Sequence, residues 1–202
     1  EEYKLNNNIS CRLQSRQDID RIYHIHREIG DLPHGNIGKE LLKKHFYEIS
    51  DFVNNLDRYA AGKKLDPLNI NLNIGRYTIT GEIDNLWENY YVQYRYATIK
   101  GKDIIQCWII HIILNAIKKI NYPCESIIIQ KDKTVTFIPL QYAEDILMDL
   151  IEIYQLGQKE LIPFFTEISY DFAAEIQNNP PDEVLRKIEK KSIKNGLIVI
   201  KT

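Results

Sequence analysis

Apolar residues recur along this chain in two rhythms, one near 3.6 residues and one of two. The first rhythm predicts a helix from Gln17 to Ile29, with Ile19, Ile22, Ile25 or His26, and Ile29 on one face and Gly30 able to stop it. The segment Leu32-Pro33-His34-Gly35-Asn36-Ile37-Gly38 reads as a rigid turn. A long helix follows over Lys39 to Ala60, with Leu42, Phe46, Ile49, Val53, Leu56 and Ala60 on one side and Gly62 at its end. The period then drops to two. Leu68 to Ile74 alternates apolar and polar residues as a half-buried strand does, and Gly75-Arg76 turns into a second strand, Tyr77 to Asp84. A third strand runs from Tyr90 to Ala97.

The stretch from Ile104 to Ile117 is apolar on nearly every side, apart from Gln106, His111 and Asn115. It is too short to span a bilayer, so a buried helix from Asp103 to Ile120 is expected. Strands over Ser126 to Gln130 and Thr134 to Ile138 flank the turn Lys131-Asp132-Lys133. A helix from Leu140 to Leu156 shows the clearest period and meets Gly157 as its stop. Pro180-Pro181-Asp182-Glu183 opens another helix, and Asn195-Gly196 turns into a last strand, Leu197 to Ile200, matching a lead-in strand at Glu2 to Asn6. Helices alternating with strands around one meander predict an α/β (α+β) class, a central mixed sheet flanked by helices. One domain over 1–202 is expected, with 1–31 as lead-in, 32–170 as core and 171–202 as closing helix and strand. Starting at Glu1 without methionine, it reads as a fragment of a longer chain.

Charge narrows the function. Lys and Arg number 26 against 28 Asp and Glu, so the chain lacks the basic surplus of a freestanding nucleic-acid binder. Any contact with phosphates must be local or shared. Cys11, Cys107 and Cys124 are odd in number and widely spaced, which points away from zinc or a disulfide framework and toward a reducing cytoplasm. No signal peptide or membrane span is visible.

The stretch that can carry chemistry is Gly81-Glu82-Ile83-Asp84, followed after eight residues by Gln93-Tyr94-Arg95. One hairpin would set Asp84 beside Gln93. Two carboxylates on neighbouring strands hold magnesium because the ion takes oxygen ligands and keeps several waters. A lysine beside them stabilises charge as metal-activated water attacks a phosphate. Here one carboxylate, Asp84, is present. Gln93 offers a neutral amide oxygen, and Arg95 keeps the charge on a bulkier, planar head. Asp84 can equally be a turn residue at a strand end.

Several blocks occur in a telling order: Leu32-Pro33-His34-Gly35-Asn36-Ile37-Gly38, Ile79-Thr80-Gly81-Glu82-Ile83-Asp84, Tyr94-Arg95-Tyr96-Ala97, Trp108-Ile109-Ile110-His111-Ile112, then Tyr154-Gln155-Leu156-Gly157 and Leu161-Ile162-Pro163-Phe164-Phe165. Together, over about Asp31 to Tyr170, they resemble the C-terminal domain of the gamma chain (RecC subunit) of exodeoxyribonuclease V. That resemblance implies a PD-(D/E)xK nuclease-like fold, similar to the catalytic domain of the beta chain but silent. By position, Asp84 matches the active relative's first Asp, Gln93 its second and Arg95 its Lys, while its metal-binding histidine falls near Leu42. It further implies a scaffold for RecB-like and RecD-like subunits and for linear double-stranded and single-stranded DNA, in processing double-strand ends for recombinational repair. No cofactor is implied in this domain; magnesium and ATP act elsewhere in the complex. Two other readings stay open: a divergent active metal-dependent nuclease using Asp84, Gln93 and Glu82, and a protein-interaction domain without DNA contact.

Candidate contacts to DNA or partners are Trp87, Tyr90 and Tyr91, which could stack on bases or pack across the sheet, and His111, which could make a contact or be a satisfied core residue. His34 could touch a phosphate or simply fill the turn. Lys100 and Lys102, with Lys118, Lys119, Lys131 and Lys133, could form one positive rim or an ordinary solvated face. Phe164 and Phe165 belong to a run that must be buried here or against a neighbour.

Overall fold

A computed structural model describes residues 19–162 and 165–194. Helices α1 (Ile19–Ile29) and α2 (Asn36–Tyr59) come first, then strands β1 (Leu68–Ile74), β2 (Tyr77–Ile83) and β3 (Tyr90–Arg95). Helix α3 (Gly101–Ile117), strands β4 (Glu125–Gln130) and β5 (Thr134–Phe137), and helices α4 (Ala143–Gly157), α5 (Thr166–Glu175) and α6 (Pro181–Lys194) complete the order. The strands expected at Glu2 to Asn6 and Leu197 to Ile200 lie outside the described residues. Helix α5 went unforeseen because no buried stripe marks it; none of its residues is fully buried.

The sheet is mixed, as expected, but it is not one sheet. Strands β1 and β2 form an antiparallel pair running from Leu68 opposite Ile83 to Ile74 opposite Tyr77. A separate sheet has the order β3-β4-β5, with β3 parallel to β4 and β4 antiparallel to β5. Parallel neighbours need a crossover, and α3 supplies it between β3 and β4. The break lies at Asn85, whose backbone is left-handed at φ 54° and cannot continue the β2 ladder.

Period-two alternation sends the two faces of β3 and β4 into different cores. Val92, Ile127 and Ile129 pack with Leu42, Ile49, Phe52, Val53 and Leu56 of α2 and with Ile22 and Tyr23 of α1. Tyr91 and Ile128 pack on the other side with Cys107 and Leu114 of α3 and with Leu68, Ile70 and Ile83 of the hairpin. A third cluster joins Ile74, Ile112 and Ala116 to Ala143 and Leu147 of α4. Helix α3 therefore meets protein on several sides, which is why it is apolar all round. The α2 stripe is rotated from the expected one: Phe52 and His45 are buried while Phe46 is only half-buried.

Two helix ends also differ. Helix α3 stops at Ile117 because Lys118 turns left-handed, its N–H bonding to the Leu114 carbonyl. Gly157 is the last residue of α4 rather than a stop beyond it, and a Cβ there would stand 2.8 Å from Ile162 Cδ1. Its φ is not positive, so no backbone freedom is called on there, and a Cβ would only displace the flexible end of Ile162. Among the described residues no helix is long and apolar enough to cross a membrane.

Candidate functional site

Tyr91, Gln93 and Arg95 share the face of β3 that looks toward α3, two residues apart each time. Asp84 follows directly on β2. Leu86 pairs with Tyr91 in an isolated antiparallel bridge, and the Val92 N–H donates to the Asn85 carbonyl at 3.1 Å. Asp84 lies near enough to Tyr91 to act on its hydroxyl electrostatically. The two adjacent antiparallel strands expected to carry Asp84 and Gln93 are not paired: among the described residues β2 pairs with β1 and β3 with β4.

Arg95 is committed to an internal partner. Its Nη2 donates to Asp103 Oδ2 at 2.8 Å, and the Asp103 side chain is 8% exposed against 36% for Arg95. The same carboxylate oxygen accepts the Lys100 N–H at 3.1 Å, closing the first turn of α3. A charge buried this far needs both a counter-ion and hydrogen bonds, and Asp103 receives both. Asp103 is the residue the sequence reading missed. Its position three residues after Lys100, where a carboxylate can turn back on the helix start, was the available signal.

The rest of the row is neutral. Burial, with Cys107 and then Asp84 adding to it, holds the Tyr91 hydroxyl well above the usual phenol range. Burial also pushes the Cys107 thiol up to about 12, so neither group is an anion near neutral pH. Tyr91 Oη lies 3.5 Å from Gln93 Oε1, a long donor–acceptor distance. These residues do not fit a magnesium site. Asp84 is an exposed single carboxylate, Gln93 brings no charge, and the second nearby carboxylate, Asp103, is held by Arg95. Among the described residues no three His, Cys, Asp or Glu side chains are grouped as metal ligands.

Leu42, where the histidine of the active relatives would fall, is 2% exposed and part of the core between α2 and the sheet. The aromatic candidates turn inward. Tyr91 is buried, Tyr90 meets Tyr59 edge-on with ring centroids 5.7 Å apart, and Trp87 packs against the α2 core with Lys64 Nζ 5.3 Å from its ring. Tyr90 and Trp87 thus pack against α2, and Tyr91 packs toward α3. His34 is exposed in its turn.

His111 is not at the core's edge but inside it, 1% exposed. Its Nε2 lies 3.0 Å from the Ile138 carbonyl and its Nδ1 2.9 Å from Ser126 Oγ. A carbonyl only accepts, so Nε2 carries the hydrogen and Nδ1 accepts from the serine hydroxyl. Asn115 extends the network: its amide nitrogen donates to the His111 and Cys124 carbonyls, and its oxygen accepts the Leu140 N–H. Burial lowers the His111 pKa, against the opposing pull of the Ile138 carbonyl and Glu125. This is the satisfied core histidine.

The single lysine rim is corrected. Lys131 N–H donates to the Ala97 carbonyl and Ile99 N–H to Asp132 Oδ1, so the β4–β5 turn lies against the loop into α3. Lys100, Lys102, Lys131 and Lys133 gather there and are exposed. Lys118 and Lys119 sit beyond the far end of α3, roughly 25 Å away at 1.5 Å per residue. Phe165 is 49% and Leu161 86% exposed, whereas Phe164 lies outside the described residues.

The fold and site together define a mixed α/β domain whose polar row on β3 ends in an internal ion pair with the first turn of α3. The RecC C-terminal domain family model matches residues 1–177, and the chain belongs to that family. It is similar to the RecBCD enzyme subunit RecC of Buchnera aphidicola subsp. Schizaphis graminum (strain Sg), at 26% identity over 161 residues. That match covers 79% of this chain and 15% of the relative, so the chain spans a small part of the relative's length.

Proposed function

We propose that this chain is the non-catalytic nuclease-like domain of the gamma subunit of a helicase–nuclease, exodeoxyribonuclease V, that processes double-strand DNA ends for recombinational repair. The observation that carries the reading is the Arg95–Asp103 ion pair. In an active nuclease the cation at this place must face the scissile phosphate; here it serves to neutralise a buried carboxylate. The order α2, β1, β2, β3, α3, β4, with the altered motif on the strand entering the crossover helix, supports a PD-(D/E)xK-like core. The domain's part in the complex is then a scaffold for RecB-like and RecD-like subunits and for DNA strands. Exposed Ile153, Tyr154, Leu156, Leu161 and Phe165, on and just after α4, support a protein interface.

Two measurements test this. Manganese titration calorimetry and a nuclease assay on linear DNA should show at most weak binding and no cleavage. Metal-dependent cleavage that Asp84→Ala abolishes would overturn the silent-fold reading. Co-purification of helicase and nuclease subunits with the full gamma chain, and their loss on deleting this domain, tests the scaffold role.

A further inference from the structure

Four exposed lysines cluster on this near-neutral chain where the β4–β5 turn meets the start of α3. Lys100 and Lys102 come from one segment and Lys131 and Lys133 from the other, all exposed. Their positions are fixed by backbone bonds. Lys131 N–H reaches the Ala97 carbonyl at 3.0 Å, Ile99 N–H reaches Asp132 Oδ1 at 2.9 Å, and Gln130 N–H reaches the Lys133 carbonyl at 2.9 Å. Lys131 Nζ also lies 5.3 Å from the Tyr96 ring centroid, which holds that side chain toward the same edge. The N-terminal end of α3 adds its own partial positive charge.

One carboxylate sits in the middle of this edge. Glu167 of α5 accepts the Gly101 N–H at 3.1 Å, with the Lys102 N–H at 3.5 Å from its other oxygen. Gly101 permits this approach: a Cβ there would stand 2.9 Å from the Thr166 carbonyl oxygen and from Tyr170 Cβ. With Asp132 and Glu167 set against four lysines, the edge carries a positive surplus, while the whole chain is at −2.

We propose that this lysine edge is where the domain holds the sugar–phosphate backbone of a DNA strand, with Glu167 as a built-in anion that limits the affinity. The inference rests on the proposed role in a DNA-processing complex and adds the surface that role would use. Lys100, Lys102 and Lys133 each meet one phosphate. The end of α3 itself is closed by Glu167 and takes none. Backbone contact through point charges carries no base preference, so single strands of different sequence bind alike at equal salt, and so do duplexes of different sequence. Tyr96, the aromatic ring beside Lys131, is buried and adds no stacking.

The test is lysine footprinting of the full-length gamma chain, reading acetylation rates by mass spectrometry with and without a short oligothymidylate or a short duplex. Expected is about threefold or greater protection of Lys100, Lys102 and Lys133 at low salt, fading as salt rises as a phosphate contact must. Lys118 and Lys119 serve as internal controls and stay unprotected. Glu167→Gln keeps an oxygen for the Gly101 N–H, so it should leave the fold intact and deepen the protection. Charge reversal of the three lysines should lower the slope of log affinity against log salt by about 2. Equal protection at both ends of α3, or unchanged affinity in the reversed variant, would overturn the proposal. So would protection by the partner subunits alone and none by DNA, which would make the edge a protein surface. If the wild-type chain fails to recover the helicase and nuclease subunits, the proposed function fails, but the footprint still reads the edge.

Discussion

Helix α3 carries two polar clusters that the fold holds differently, one at its middle and one at its first turn. At the middle, His111 and Asn115 are buried and their ring and amide groups reach Ser126, Ile138, Cys124 and Leu140. At the first turn, Asp103 is buried but its partner Arg95 is about a third exposed, and the row continues through half-buried Gln93 to exposed Asp84. The first cluster pins two chain segments, around 124–126 and 138–140, to one helix. The second holds one buried carboxylate with one guanidinium and one backbone N–H at the edge of the fold. A polar group that stitches segments together cannot be lost without cost, whereas a half-exposed ion pair is cushioned by solvent on one side.

The largest expected effect lies in the first cluster. His111→Ala leaves the Ser126 hydroxyl and the Ile138 carbonyl without their ring partner and opens a cavity. Urea denaturation should show a loss of about 2–4 kcal/mol. The same histidine predicts an acid limb. Its pKa is lowered in the fold, so the unfolded chain binds the proton more readily. Its contribution is fully present above the unfolded value of about 6.5 and is lost as pH falls below it toward the folded value. His111→Gln should flatten that limb; a limb that persists unchanged would place the titrating group elsewhere.

A smaller effect is expected where the site meets the helix. Arg95→Ala strands the Asp103 carboxylate with the Lys100 N–H alone and should cost about 1–2 kcal/mol, less than a fully buried pair because Arg95 is partly solvated. Adding Asp103→Asn to Arg95→Ala should recover part of the loss. Gln93→Glu with Arg95→Lys rebuilds the motif in letters, yet should stay inactive on linear DNA because Asp103 still holds the cation. Manganese-dependent cleavage by that double variant would show that the ion pair is not what silences the site.

Much of this was legible in the sequence, for reasons that differ by element. Strand β1 was placed at Leu68 to Ile74 because one buried face imposes strict alternation, and α3 was recognised as a core helix because it lacks a polar face. What the letters could not show was the left-handed Asn85 that splits the sheet, since asparagine tolerates both conformations. The Glu167 contact with the start of α3 was equally hidden, because it spans 66 residues and no local pattern marks it. Lysines adjacent in function and lysines merely alike in the sequence look the same until the helix between them has a length.

The smallest effect is expected at the residue that first drew attention. Asp84 is exposed, one step beyond β2, and its only marked electrostatic influence is a lesser push on the Tyr91 hydroxyl. Surface substitutions away from caps, cores and ion pairs stay within about 0.5 kcal/mol, so Asp84→Ala should leave the urea midpoint nearly unchanged. It should also leave manganese binding as weak as before, because one exposed carboxylate cannot offset the cost of dehydrating the ion. A pair of measurements, denaturation and manganese calorimetry on the same variant, separates the two meanings of the position. A stability loss above about 1 kcal/mol would make Asp84 a structural turn residue that the exposed geometry understates. A measurable manganese affinity in the wild type that disappears in the variant would mean that the carboxylate row still holds a metal despite the capture of Arg95. With neither change, Asp84 is a solvated carboxylate that neither stabilises the fold nor holds a metal, the opposite extreme from buried His111.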